Sequence, residues 1–251
     1  MSGGATGAGD RRPLVLALDT ATRRASVAVC RGEEVLAEGS REVTTHSEGL
    51  MPLVDETLRG CGVDVGELDV VVCGVGPGSF TGLRIGMATA KGLCFAAEMP
   101  LYGVSSLRAL ALGAGAGLVA AVLDARRREV YVGLYRDGEP LTPEIVCPPS
   151  EVAGRLSGAL EDPASTVLLA GDGALAYREI LLSSLEGATL AAEDRHVIEA
   201  RQLARAALPR VAARDADDLA ALSPRYIRPS DAKLPAVAQD RRPRLEGERS
   251  R

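Results

Sequence analysis

The chain is poor in aromatic residues and in lysine. Its 251 residues include no Trp, two Phe and five Tyr, and Lys91 and Lys233 are the only lysines. Its core must therefore be built from aliphatic side chains. Acidic residues outnumber basic ones, 34 against 29, which gives a formal net charge of −5. This balance argues against a protein that binds nucleic acid alone through a broad basic face, but it permits a role in an RNA pathway beside a basic partner.

The cysteine and histidine content and the lack of a long apolar run limit the cellular compartment and the metal chemistry that we expect. The five cysteines are dispersed without a C-x-x-C pair, which predicts reduced thiols in a cytoplasmic protein. Only His46 and His196 are present, so a metal site made of histidines alone is excluded. The longest uncharged stretch, residues 109–123, is shorter than the ~20 residues that span a bilayer. We expect no membrane association, and flexible tails at residues 1–12 and 231–251.

The pattern of strands and helices repeats along the chain. Three short strands, a helix, a strand and a second helix are predicted up to residue 98, and the same order recurs from residue 118 to residue 185. The first strand of each half ends in an aspartate, Asp19 or Asp124, before an arginine-bearing turn. We interpret this as a duplicated β-β-β-α-β-α unit in an α/β fold with two lobes, residues 13–108 and 109–230. The second lobe would include a closing helix at about residues 197–213. This arrangement resembles the actin-like ATPase superfold (ASKHA, ribonuclease-H-like), in which nucleotide binds between the lobes.

The glycine-rich loop that follows the fourth strand has two interpretations. Gly76, Gly78 and Gly82 would let backbone amides and a helix start approach an anion. The same glycines would equally permit close packing between the helix and a strand. Ser79 or Thr81 is placed to cap the following helix. The loop is neither a Walker A sequence nor a dinucleotide fingerprint.

The first strand end could supply the other half of a nucleotide site. Asp19 and Thr20 stand where this superfold places its first phosphate loop, but the turn after them has no glycine. We therefore favour a strand-end residue that bonds its own turn, with a degenerate nucleotide site at Asp19, Thr20 and the glycine loop as the alternative. The matching turn after Asp124, Arg126 to Arg128, would pair internally or touch a partner.

The first helix carries an apolar stripe. Its members are Leu50, Met51, Leu53, Val54 and Leu58. Burial against the protein's own sheet is the favoured explanation, and docking of a second chain is the alternative. His46 opens this helix without a second metal ligand one turn later, because Leu50 stands there. No nucleophile and base pair is evident in the sequence.

Five segments together resemble the bacterial TsaB family, also called YeaZ. They are LDTATRRASVAV (18–29), GPGSFTGLRIGMATAKGL (76–93), LYGVSSLRALA (101–111), DARRREVYVGLY (124–135) and PRYIRP (224–229). They occur in order over nearly the whole folded chain.

The resemblance implies a non-catalytic partner of TsaD. With TsaD and the ATPase TsaE, such proteins serve to place a threonylcarbamoyl group on the adenosine 3′ of the anticodon, in tRNAs that read codons beginning with A. The chain would touch tRNA only through that complex and would form a homodimer when alone. The implied docking face is the first-helix stripe, with Ile85 and Thr89 as neighbours, and a nucleotide at the subunit interface is left open.

The non-catalytic role that the resemblance implies agrees with the few candidate catalytic residues in the sequence. TsaD-type sites carry a paired-His motif, and here only His46 survives. The rival hypothesis is an ATPase or a metallo-glycoprotease-type enzyme of the same superfold. It predicts nucleotide or metal binding by the isolated chain. A tRNA-binding module in its own right is disfavoured by the net charge, although the Arg126–Arg128 turn could add one contact.

Overall fold

A computed structural model describes residues 12–42, 46–160 and 166–228 of the chain, with the side chains of residues 46–48 left out. The two expected tails, except Arg12, lie outside the described residues. The first half contains β1 (Leu14–Asp19), β2 (Arg24–Arg31), β3 (Glu34–Glu42), α1 (His46–Cys61), β4 (Val70–Gly74), α2 (Phe80–Ala97), β5 (Leu101–Val104) and α3 (Ser106–Ala114).

The first half forms a five-stranded sheet in the order β3-β2-β1-β4-β5. β1 pairs antiparallel with β2 and parallel with β4, and β5 continues the parallel side. All six residues of β1 are buried, because helices cover both faces of the sheet at this central strand. This explains why β1 is a continuous apolar run instead of an alternating pattern.

The second half repeats this plan. Its elements are β6 (Leu118–Asp124), β7 (Val130–Arg136), β8 (Glu139–Pro140), β9 (Ile145–Cys147), α4 (Val152–Leu156), β10 (Leu168–Ala170), α5 (Asp172–Ala176), α6 (Arg178–Ser184), β11 (Thr189–Leu190) and α7 (Ala200–Ala212). β6 pairs antiparallel with β7 and parallel with β10. The strand expected after β7 is split into β8 and β9, which both pair with β7.

The predicted duplication is confirmed, but the repeating unit is longer than expected. Each copy ends with a further strand and helix, β5 with α3 and β11 with α7, so the unit is β-β-β-α-β-α-β-α. β5 and β11 are short, with four and two residues. Segments of that length carry too little periodicity to be identified from the sequence.

Two helices are exchanged between the lobes. α7, which the sequence assigns to the second lobe, packs on β1, β2, β4 and β5 of the first sheet, whereas α3 packs on β6 and β7 of the second. Both helices contribute to one buried cluster that joins the inner faces of the two sheets. α1 and α2 cover the outer face of the first sheet, and α4 to α6 cover that of the second. The predicted boundary at residue 108 therefore falls inside α3. No helix in the described ranges has the length and apolar character needed to cross a membrane.

Candidate functional site: the cleft between the lobes

Asp19 ends β1 inside the protein. Its side chain is fully buried, with Oδ1 accepting a hydrogen bond from the Ala21 backbone N–H at 2.8 Å and Oδ2 accepting one from the Ser106 hydroxyl at 2.6 Å. Burial raises the pKa of this carboxyl above its ordinary value, against the opposing effect of the two hydrogen bonds. Asp19 thus ties its own turn to the start of α3, as the strand-end interpretation predicts.

The glycine-rich loop presses against that turn. A Cβ atom at Gly74 would lie 1.9 Å from Asp19 Oδ2, and one at Gly78 would lie 2.3 Å from the Ala21 carbonyl oxygen. A Cβ at Gly82 would lie 2.1 Å from the backbone oxygen of Thr20. No side chain larger than hydrogen fits at these separations. The geometry favours the close-packing interpretation of this loop.

The polar groups of the loop are engaged inside the protein. The Ser79 N–H donates to the Ala21 carbonyl at 2.7 Å, and Ser79 Oγ caps α2 by accepting from the Gly82 N–H at 3.2 Å. The Thr20 hydroxyl, itself buried, donates to the Gly82 carbonyl at 2.7 Å. The Gly76 carbonyl accepts from the Ser106 N–H at 2.9 Å. The Ser79 and Gly82 amides are therefore not free to cradle a phosphate as a nucleotide site of this superfold would require.

A cleft of about 620 Å³ opens between the lobes beside this loop. Its first-lobe wall contains the β1–β2 turn and exposed Thr81, and its second-lobe wall contains the β6–β7 turn and Asp172. The Asp124 N–H donates to Asp172 Oδ1 at 2.9 Å, while Asp124 Oδ1 accepts from the Arg126 N–H at 2.9 Å. Of the residues predicted for a degenerate nucleotide site, Gly78, Ser79 and Thr81 line this cleft. Asp19, Thr20 and Gly76 do not.

The β6–β7 turn has an unusual backbone. Arg126, Arg127 and Arg128 all have positive φ, at 62°, 54° and 62°. Three consecutive non-glycine residues in this region cost conformational energy that the surrounding structure must supply. The turn is closed by hydrogen bonds from the Ala125 N–H to the Glu129 carbonyl and from the Glu129 N–H to the Arg126 carbonyl, both 3.0 Å. All three arginines are exposed.

The residues after α7 form a strap, residues 215–228, that joins both lobes. On the first lobe, the Gly103 N–H donates to Asp217 Oδ2 at 2.7 Å and the Arg225 N–H donates to the Val75 carbonyl at 2.8 Å. On the second lobe, Arg228 donates to the Ala125 carbonyl at 2.8 Å and forms an ion pair with Glu129. The strap therefore closes one end of the cleft.

The apolar stripe of α1 requires a correction. Leu50, Leu53, Val54 and Leu58 are between 2% and 5% exposed and pack in the outer core of the first lobe. They cannot form a docking face in this conformation, because their side chains already contact the sheet of their own chain. Of the predicted stripe only Met51 is exposed, at 48%.

The most exposed large apolar side chain of the described residues lies on α2. Phe95 is 81% exposed, on the same helix as the predicted Ile85 and Thr89, which are half-buried. Ala88 and Gly92 are also exposed, and nothing lies within 4 Å of a Cβ built at Gly92. The sequence analysis missed Phe95 because it is a single aromatic residue among small ones, with no periodic pattern to mark it.

The remaining candidates have structural roles or lie outside the described region. The His46 side chain is not among the described ones. His196 is buried, where its Nδ1 accepts from the Gly171 N–H at 3.1 Å and its Nε2 donates to the Ala191 carbonyl at 3.1 Å. Burial raises the pKa of Cys30 and of Cys94 to about 11, so both thiols stay protonated near neutral pH. Within the described ranges, no three His, Cys, Asp or Glu side chains group as metal ligands would.

Comparison with known proteins identifies relatives over most of the chain. The family model described as TsaD, tRNA N6-adenosine threonylcarbamoyltransferase, matches residues 41–235. The tRNA threonylcarbamoyladenosine biosynthesis protein TsaB of Haemophilus influenzae is 34% identical over 194 residues, which is 70% of this chain and 79% of that protein. Escherichia coli TsaB is 40% identical over 129 residues, 50% of this chain and 56% of its own.

Solved structures agree with these matches. YeaZ from Pseudomonas aeruginosa superposes with a TM-score of 0.74 at 33% identity, and the match covers 85% of this chain and 99% of that one. Component A of an Acidaminococcus fermentans dehydratase, at 14% identity and a TM-score of 0.53, shares the fold alone. The duplicated two-lobed α/β architecture is thus the actin-like ATPase fold that the sequence predicts. Because TsaB and YeaZ relatives at 33–34% identity match 70% or more of this chain, the chain belongs to the TsaB (YeaZ) family.

Proposed function

We propose that this chain is a non-catalytic subunit of the machinery that makes threonylcarbamoyladenosine in tRNA, and that it acts by docking a TsaD-type catalytic partner. The observation that carries the proposal is the exposed apolar surface on the outer side of α2. Phe95 and the small residues Ala88 and Gly92 are accessible there, and α1, which packs against this helix, carries the exposed Met51. An aromatic side chain beside small residues allows a partner helix to approach closely around one anchor.

The interior of the chain supports a non-catalytic role. Asp19, the carboxylate that an enzyme of this fold would need, has both oxygens engaged and no exposure to the cleft. The space beside Gly78 and Gly82 is filled by the backbone of the β1–β2 turn. In this proposal the transfer chemistry, the metal and the nucleotide belong to the TsaD-type partner.

The wider assembly follows from the same proposal. TsaE would supply ATPase activity, and tRNA would be held by the complex. Without TsaD, the α2 surface would pair with a second copy of this chain, since an exposed apolar surface favours self-association. A nucleotide at the subunit interface would be held partly by the partner.

The test is co-expression of this chain with its TsaD counterpart, followed by size-exclusion chromatography with light scattering. The informative variant is Phe95→Glu. Its matched control is Ile180→Glu on α6, a 42% exposed apolar residue of the other lobe. We expect Phe95→Glu to weaken the heteromer by about thirtyfold or more, as loss of a central aromatic anchor does, and the control to leave it intact.

Two outcomes would contradict the proposal. One is the absence of any heteromer with the unmodified chain. The other is an equal effect of both substitutions, which would show that the α2 surface is not the contact. ATP hydrolysis or metal-dependent peptidase activity by the isolated chain would favour the enzyme hypothesis instead.

A further inference from the structure

The cleft between the lobes is rich in aromatic side chains and in arginines. Of the seven aromatic residues in the sequence, three line the cleft: Phe80, Tyr131 and Tyr226. Five arginines and two aspartates line it, although the whole chain carries a net charge of −5, and Arg225 and Arg228 pair with glutamates next to the lining. The five arginines are Arg23, Arg126, Arg127, Arg225 and Arg228. The cleft is therefore a basic, aromatic-lined site on an acidic protein.

The aromatic groups are held in fixed positions. The rings of Phe80 and Tyr226 have centroids 5.0 Å apart. Arg84 donates from Nε to the Tyr226 hydroxyl at 3.0 Å, and its guanidinium carbon lies 3.9 Å from the centroid of the Phe80 ring. Tyr226 nevertheless remains 43% exposed and Phe80 46% exposed. A pre-oriented, partly exposed ring is a surface on which a nucleobase stacks without an ordering cost.

Arg23 on one wall of the cleft and Arg126 on the other are available to phosphates. Among the described residues, Arg23 has neither a hydrogen bond nor an ion-pair partner for its guanidinium. The Arg126 side chain is 63% exposed and its ion pair with Asp124, at 3.2 Å, is of the exposed kind that contributes little and can be exchanged. The left-handed turn places Arg126 and Arg127 at the protein surface, where both line the cleft.

We infer that this cleft binds an unpaired strand of RNA, with bases on the aromatic groups and phosphates on the arginines. A free nucleotide is the poorer fit, because the Ser79 and Gly82 amides that its phosphates would use are engaged inside the protein. The Asp19 carboxylate that its metal ion would need is buried and accepts two internal hydrogen bonds. Guanidinium groups on opposite walls suit successive phosphates of a strand. The inference rests on the proposed function for the source of the strand, which would be an unpaired segment of the tRNA substrate, and it makes this chain a direct contact to that substrate.

The binding test uses the isolated full-length chain and a fluorescein-labelled, unstructured RNA about 12 nucleotides long, followed by fluorescence anisotropy at several salt concentrations. For the charge, Arg126→Asn is compared with Arg59→Asn. Asn tolerates the left-handed backbone, and Arg59 lies on α1 outside the cleft lining. For stacking, Tyr226→Ala is compared with Tyr226→Phe, which keeps the ring, and with Phe95→Ala, which removes an exposed ring elsewhere.

We expect Arg126→Asn to lower the slope of log affinity against log salt by about 0.7, the contribution of one phosphate contact to a single strand. Tyr226→Ala should weaken binding about tenfold with an unchanged salt slope, and Tyr226→Phe should restore it. Both control variants should bind as the unmodified chain does. Thermal melts of each variant separate loss of binding from loss of folding.

Three results would overturn the inference. They are no RNA binding by the unmodified chain at about 0.05 M salt, binding that the cleft variants leave unchanged, and competition by AMP or ATP that matches the unlabelled RNA at equal nucleotide concentration. None of these results touches the docking test, which uses Phe95 on another surface. Failure of RNA binding with an intact heteromer would thus refute this inference alone, and loss of the heteromer with intact RNA binding would refute only the proposed docking.

Discussion

The packing role of the glycine-rich loop can be measured by a pair of substitutions in one helix. A Cβ atom at Gly82 would lie 2.1 Å from the Thr20 carbonyl oxygen, whereas real Cβ atoms essentially never come closer than 3.0 Å, so α2 and the β1–β2 turn must separate by about 0.9 Å. The obstacle is backbone, which cannot rotate away as a flexible side chain can. Gly92 of the same helix has nothing within 4 Å of that position.

These distances predict opposite changes in stability for alanine at Gly82 and at Gly92. Overpacking costs about 1–3 kcal/mol or more, and the helix-propensity gain of alanine at the first turn offsets only part of it. We expect Gly82→Ala to lower the free energy of unfolding by about 2 kcal/mol, and Gly92→Ala to raise it by about 0.5–1 kcal/mol. At this chain length these values correspond to a melting temperature about 4–8 °C lower for the first variant and about 2 °C higher for the second.

The assay is urea unfolding of the isolated chain, followed by circular dichroism, with the melting temperature as a second measurement. An unchanged m-value would show that the variants unfold between the same two states. If Gly82→Ala proved as stable as the unmodified chain, the close approach of the loop to the β1–β2 turn would not be what requires glycine there. The anion-binding explanation of the loop would then have to be reconsidered.

Three further results are expected. Burial raises the pKa of Asp19 above the ordinary value for an aspartate, so its contribution to stability is greatest below that ordinary value and falls as pH rises through the folded-state pKa. The stability of Asp19→Asn relative to the unmodified chain should therefore increase with pH above about 4 in urea unfolding. A constant difference would contradict this. Arg228→Ala removes the contacts of the strap with Ala125 and Glu129, so we expect it to lower the free energy of unfolding by about 1.5 kcal/mol and to speed proteolysis of the strap. Unchanged proteolysis would show that Arg228 does not hold the strap on the second lobe. Leu53→Ala should cost about 2–5 kcal/mol as a core truncation, whereas exposed Met51→Ala should cost less than about 0.5 kcal/mol; equal thermal shifts would refute the burial assigned to α1.

Features that depend on short segments were predicted well from the sequence. The Ser79 cap, the strand that ends at Asp19 and the duplicated order of strands and helices each follow from residues within one turn or one strand of each other. The glycine loop had two explanations, and the separations to Thr20 and Ala21 that decide between them join parts of the chain about 60 residues apart. No local pattern encodes such a separation.

The sequence could not predict which surface each helix packs against. The stripe on α1 shows that one face must be buried, but the same pattern suits a sheet of the same chain or a second protein. The exchange of α3 and α7 was missed because a helix does not specify the sheet it packs on. The cleft was foreseen from the fold, but its aromatic wall depends on Tyr226, brought from the end of the chain by the strap.

The exchange of α3 and α7 also bears on how a duplicated chain of this kind could have arisen. Each unit ends in a helix whose apolar side covers the sheet of the other unit. A single unit would leave one sheet face bare, and it could cover that face only by pairing with an identical chain that donates its last helix, as in a domain-swapped dimer. Gene fusion of such a dimer would retain the exchange while freeing each half to diverge. Neither lobe expressed by itself should then fold as a monomer, because the inner face of its sheet would lack the helix that covers it.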